Sequence, residues 1–189
     1  RLIEERVSLR MRPPLRSLVS PVLPGAESTA WPAFDSARAR ALFREAGYCQ
    51  GRVLTLPLTF RSDIPSDRLF ALTWQAQLRR DLGDCVQLDI NGMESTTAYA
   101  QLDKGVFPLI QLEWVGDYPD ADNYLVPLLG CDKLEGNSCR AGGSALSGSF
   151  WGEPGLEEAL QRSSRIDGSA RLRLLEEIQR RTAAATPYL

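Results

Sequence analysis

Three aspartates fall within six residues in the stretch LIQLEWVGDYPDADNYL (109–125): Asp117, Asp120 and Asp122. An apolar run climbs to Trp114, breaks at Val115-Gly116 and opens directly into this acid. Carboxylates so placed can hold a metal ion, move a proton or pair with a cationic group on a ligand. The spacing chooses among these. A calcium loop needs a central glycine and a distal glutamate, which Asp117, Asp120 and Asp122 lack, so no metal is expected. Asp120 stands where it would cap a short helix carrying Tyr124, Leu125 and Leu128, and Asp122 favours that helix's first turn through the dipole. Asp117 is left with two readings: a turn residue satisfying backbone amides, or the partner of a ligand cation.

The chain contains no histidine. Histidine-dependent triads, histidine metal sites and the commonest general base near neutral pH are therefore excluded; any catalysis would have to run on carboxylates, Lys, Tyr or Cys, and no catalytic residue or cofactor is assigned. The four cysteines, Cys49, Cys85, Cys131 and Cys139, show no CxxC spacing. Cys131 and Cys139 bracket CDKLEGNSC, which reads equally as a disulfide staple or as two free thiols. GGSALSGS lacks both the Lys-Ser/Thr end of a phosphate loop and the G-x-S-x-G of a nucleophile elbow, so it reads as a flexible loop. RLRLLEEIQRR reads as a solvated helix face with charge pairs at i,i+4.

The elements that must position these residues follow from pattern. The 189 residues are 43% hydrophobic and 24% charged, an ordinary globular balance. A net charge of −2 gives no basic field, so no nucleic-acid partner is expected. No apolar run reaches the roughly 18 residues of a membrane span. The start at Arg1, without methionine or a signal-like segment, reads as a mid-protein fragment. Residues 1–31, with the proline-rich PPLRSLVSPVLPG, read as a lead-in segment laid over a surface. A helix is expected from Asp35 to Ala46, with Leu42, Phe43 and Ala46 on its apolar side and Gly47 ending it. Strands are expected near 53–60, 86–90 and 107–114, with Pro57 arguing for an edge or a bulge. Helices are expected over 66–82, with Ala71, Trp74, Leu78 and Leu82 in one stripe, and over 95–104. After an irregular Gly/Ser-rich stretch (130–152), helices are expected over 156–165 and 170–184, the last capped by Asp167.

Strand, helix, strand, helix, strand is the order of an α/β fold with a mainly parallel sheet flanked by helices. In such sheets ligands sit outside the carboxyl ends of the strands. The turns at Arg61–Asp63, Asn91–Glu94 and Gly116–Tyr118 should then share one rim. There Trp114 supplies a flat apolar surface, Gly116 a close backbone approach, Asp117 a charge and Tyr118 a polar neighbour. Parallel pairing also brings Cys49 and Cys85, each just before a strand, to one end of the sheet. A bond is expected there and a second between Cys131 and Cys139, which fits an oxidising compartment.

FDSARARALFREAGY, WQAQLRRDLGDCVQLDI, EWVGDYPDADNYL and ARLRLLEEIQRRTAAATPYL occur in that order. Together they resemble the extracellular solute-binding proteins of family 5, the peptide- and nickel-type receptors of ABC importers. The resemblance covers about Pro32 to Leu189 and implies the C-terminal lobe, 32–189, of a type II periplasmic-binding fold, its N-terminal lobe lying outside this chain. It implies a peptide or similar amine-bearing solute as ligand, a membrane permease as partner through the full-length protein, a monomer, and a periplasmic or extracellular location with a lipid anchor in the full-length protein. Asp117 matches the family's W-x-x-D position, where in peptide-binding members the aspartate meets the ligand's α-amino group. Ala121 departs from the family's D-P step, and the Cys-rich 131–152 segment is longer than usual. Two other functions remain open on the residues: a carboxylate enzyme acting at the same rim, and a receptor-derived sensor or interaction module.

Overall fold

The computed structural model describes residues 15–27 and 31–188, together with Ile3 and Val7; Pro13 and Pro14 of the lead-in segment lie outside the described residues. Two compact units result, one built from 33–101 and 106–113, the other from 15–32, 102–105 and 114–189.

The first unit is a parallel sheet with helices. Helix α1 (Ser36–Glu45) starts where Asp35 accepts the Arg38 amide at 2.8 Å, and Gly47 leaves it with φ +83. Strand β1 (Leu54–Arg61) is followed by α2 (Pro65–Leu82), β2 (Val86–Met93), α3 (Ser95–Tyr99) and β3 (Leu109–Ile110). The order across the sheet is β2-β1-β3, all parallel. Leu58, Phe60, Ala71 and Leu88 form its core, with Trp74 and Leu78 packed against them, as the helical stripe predicts. Pro57 sits on the central strand, yet its position keeps the logic of an edge. Alternate residues of β1 bond to opposite sides: Leu54 N–H reaches Cys85 O at 2.9 Å, while Thr59 O accepts Gln111 N–H at 2.8 Å. Pro57 shares the parity of Thr59, and β3 pairs only with Leu58 and Thr59, so no ladder bond is lost there.

Three expectations are corrected in this unit. The third strand is two residues long rather than 107–114, because the chain leaves the ladder after Gln111. The helix expected over 95–104 stops at Tyr99 and resumes as a single 3₁₀ turn, Leu102–Lys104, in the second unit. Leu42 is exposed, and Ala39 with Phe43 carries the packing of α1 instead.

The second unit gathers α4 (Asp122–Leu129), the antiparallel hairpin β4 (Lys133–Glu135) and β5 (Ser138–Ala141), the short α5 (Gly143–Leu146), α6 (Leu156–Ser163) and α7 (Gly168–Ala185). Leu125, Leu129, Leu156, Leu160, Leu175 and Ile178 close its core. Each such side chain gains roughly 1.5–3 kcal/mol by leaving water. The lead-in segment contributes too: Val19 is buried in this core, and buried Ser17 donates to Gln179 Oε1 at 2.7 Å. The surface-only expectation for this segment therefore fails at Val19, while Pro21 and Pro24 stay exposed. GGSALSGS is likewise ordered rather than a flexible loop. Ser144 is fully buried, donating to Trp151 O at 2.6 Å, and a Cβ on Gly143 would stand 2.6 Å from Val126 O. Asp167 occupies the N-cap position of α7 without a side-chain capping bond.

Both expected disulfides are present, Cys49–Cys85 in the first unit and Cys131–Cys139 in the second.

Candidate functional site

Trp114, Gly116, Asp117 and Tyr118 lie together on the segment that precedes α4, all within the second unit. The segment has no ladder to hold it, so side chains must. Trp114 is 44% exposed and its indole N–H donates to Asn123 O at 2.8 Å, which satisfies the polar edge and leaves apolar ring surface in water. Asn123 is itself buried, and its amide donates to Tyr118 O at 3.2 Å. Gly116 is needed for space: a Cβ there would lie 2.9 Å from Tyr124 Oη and 3.0 Å from two ring carbons.

The three carboxylates divide sharply. Asp120 takes a fork from Arg171, Nη1 at 2.9 Å and Nη2 at 2.7 Å, and also accepts the Asp122 amide at 3.0 Å. It is a structural residue, as its spacing suggests, but it does not cap the helix. The N-cap position is Ala121, which has no side-chain capping bond, and Asp120 instead closes a turn two residues long. The Arg171 guanidinium holds Asp120 below the ordinary carboxylate range. Asp122 moves the other way: burial, then the charge of Asp120, pushes its carboxyl up, and Oδ1 finds no hydrogen-bond partner among the described residues. Tyr118 is 52% exposed, and its phenol is pushed up first by partial burial and then by the Asp122 charge. Asp117 alone is exposed and forms no hydrogen bond or ion pair with a described residue. No cluster of three or more metal-ligating side chains exists among the described residues.

The other turns expected at the sheet's rim fare differently. Asp63 accepts Ser95 N–H at 2.9 Å and Ser95 Oγ–H at 2.7 Å, so the loops after β1 and β2 do meet. Arg61 lies inside β1 rather than after it, and is buried against Asp67, Nε to Oδ2 at 2.6 Å. That ion pair, and the Tyr99 hydroxyl 3.3 Å from Arg61 Nη1, are structural features of the first unit. Residues 91–93 likewise continue β2.

Sequence pattern misses Arg171. The pattern of RLRLLEEIQRR predicts charge pairs along the helix's own face, yet Arg171, Arg180 and Arg181 reach Asp120, Glu27 and Glu153 on other segments. No periodicity signals such long-range partners.

Residues 3–136 match the family described as bacterial extracellular solute-binding proteins, family 5, middle region. The chain belongs to family 5. Di/tripeptide-binding protein 2 of Pseudomonas aeruginosa is 30% identical over 162 residues, which is 84% of this chain and 28% of that protein. The dipeptide-binding protein of Pseudoalteromonas sp. SM9913, solved in complex with Met-Leu, superposes with a TM-score of 0.74 at 25% identity, covering 91% of this chain and 32% of that one. The Escherichia coli murein tripeptide-binding protein MppA shares the fold, with a TM-score of 0.78 at 20% identity over 98% of this chain and 35% of that one. The chain thus spans about a third of the length of the solved relatives it matches. Its sheet and helices form an α/β lobe of the periplasmic-binding type.

Proposed function

We propose that this segment carries part of the ligand site of an importer receptor for short peptides, with Asp117 accepting the ligand's α-ammonium group. The observation that supports this reading is the division of labour in the acidic turn. Asp120 is engaged by Arg171 and Asp122 is partly buried, while Asp117 stands exposed and without a hydrogen-bond or ion-pair partner among the described residues. A free carboxylate beside exposed indole and phenol surface suits a small cation with apolar substituents. Dipeptides and tripeptides, for which the relatives are named, carry such a group at their amino end. Trp114, Gly116 and Tyr118 form the surroundings: an aromatic face, a backbone position free of side chain, and a hydroxyl. Binding without bond-breaking is the proposed activity, since the turn offers no general base paired to a nucleophile. In the full-length protein we place this site in a monomeric, periplasmic or extracellular, lipid-anchored receptor that delivers its solute to an ABC permease.

Calorimetry on the full-length protein tests the reading. Asp117→Asn should weaken a dipeptide with a free α-amine by about tenfold or more, the scale of losing a charged partner in an enclosed site. The N-acetylated dipeptide should lose little. Equal losses for the two ligands, or none for either, would return Asp117 to a turn residue.

A further inference from the structure

Resting on that reading of Asp117, a second residue enters the site without touching the ligand. We propose that Arg171 is a positioning residue for the binding turn: its guanidinium, acting through Asp120, holds Asp117 where the ligand's ammonium meets it. The geometry is a chain of bonds leading from α7 to the exposed segment. Arg171 Nε–H donates to Ser163 O at 3.0 Å, fixing the guanidinium to the last residue of α6. Its two remaining nitrogens grip both oxygens of Asp120. The Asp120 amide then donates to Tyr118 O at 2.9 Å, and that same carbonyl accepts the Asn123 side-chain amide. Asn123 O receives the Trp114 indole. Asp117 sits inside this loop of contacts, immediately before Tyr118, and its carboxylate has no hydrogen bond or ion pair with a described residue to fix it.

Charge reinforces the geometry. Asp117, Asp120 and Asp122 crowd one turn, and Arg171 Nη2 also lies 3.7 Å from Asp122 Oδ2. Without the guanidinium, the repulsion between the Asp120 and Asp122 carboxylates would lose the counter-charge that Arg171 supplies, which favours opening of the turn. The pair is partly buried, with the two side chains 19% and 34% exposed, so solvent screens it less than a surface pair. The planar fork matters as much as the charge, because only a bidentate donor fixes the direction of the Asp120 carboxylate. Lysine cannot do this.

A double-mutant cycle on the full-length protein, with a free-amine dipeptide as probe, separates positioning from simple stabilisation. Arg171→Gln and Asp120→Asn should each weaken binding by about fivefold to tenfold, and Arg171→Lys by less. Added to Asp117→Asn, Arg171→Gln should change affinity by no more than about twofold, because its effect runs through the carboxylate already removed. Unchanged affinity in Arg171→Gln, or losses that add fully to those of Asp117→Asn, would overturn the inference. If Arg171→Gln does not fold, the same cycle run with Asp120→Asn decides by the same criteria. The outcomes stay distinct from those of the underlying reading. A failure of Asp117→Asn to discriminate the free amine sinks that reading, whereas a discriminating Asp117 with additive Arg171 sinks only the positioning role.

Discussion

Asp120 and Asp122 are two residues apart and are shifted in opposite directions from the ordinary carboxylate value, which gives the acidic turn a pH signature at the level of single groups. Asp120 is lowered by Arg171, so its contribution to stability is present above the ordinary carboxylate value of 3.8 and is lost as pH falls through its folded value. Asp122 is raised by burial and then by Asp120, so the folded state binds its proton more tightly than the unfolded chain does. Its ionised form therefore costs stability at neutral pH, and that cost disappears as pH falls through its folded value, above 3.8. Asp122→Asn should raise the unfolding midpoint at pH 7, and the advantage should shrink as pH approaches 3.8. Thermal unfolding followed across that range checks both signs; a midpoint lowered or unchanged at pH 7 would refute the assignment. Much of this residue-level picture is legible in the sequence. The W-G-D spacing sets Asp117 apart and the helix that follows takes Asp122 into its first turn, but the capping role expected of Asp120 gives way to its pairing with Arg171. Arg171 is not legible, because Asp120 lies 51 residues away, and no local pattern records such a pairing.

Between elements, the two disulfides ask how much each covalent tie contributes. Cys49–Cys85 ties the end of the α1 loop to the start of β2 across 36 residues, whereas Cys131–Cys139 closes only 8 around the β4–β5 turn. In the chain-entropy account these loops correspond to about 4 and about 2.5 kcal/mol. Replacing Cys49 and Cys85 by alanine should therefore lower the denaturation midpoint of its unit more than the same change at Cys131 and Cys139. Urea unfolding of the two variants gives the comparison, and a reversed order would contradict it. The placement of Cys49–Cys85 was readable because parallel pairing of β1 and β2 fixes which strand ends meet. The length of β3 was not readable. Alternating apolar residues report burial rather than pairing: residues 109–112 are partly buried, yet only Leu109 and Ile110 pair with β1, and Val106 and Trp114 at the ends of the expected strand are exposed. The break in the 95–104 helix has the same origin: Ala98 and Leu102 are both buried, but in different units. A continuous stripe in sequence need not be one helix.

For the whole molecule, the exposure of Asp117 sets what this segment can do alone. An ion pair formed in water is worth roughly 0–1 kcal/mol, while micromolar binding requires about 8 kcal/mol. The difference has to come from enclosure, which strips water from the contact and adds apolar burial along the rest of the ligand. Trp114 and Tyr118 offer aromatic surface, but at 44% and 52% exposure they face solvent and enclose nothing by themselves. The relatives that carry peptide names are about three times longer than this segment, which accounts for 28% of the length of one and 32% of another. We therefore expect the isolated 189-residue chain to bind a free-amine dipeptide such as Met-Leu with a dissociation constant weaker than about 1 mM. The full-length protein should bind the same dipeptide at micromolar concentration or tighter. Titration calorimetry on both, with a circular dichroism spectrum establishing that the isolated chain is folded, makes the comparison direct. Micromolar binding by the isolated chain would show that this turn and its neighbours already enclose a ligand.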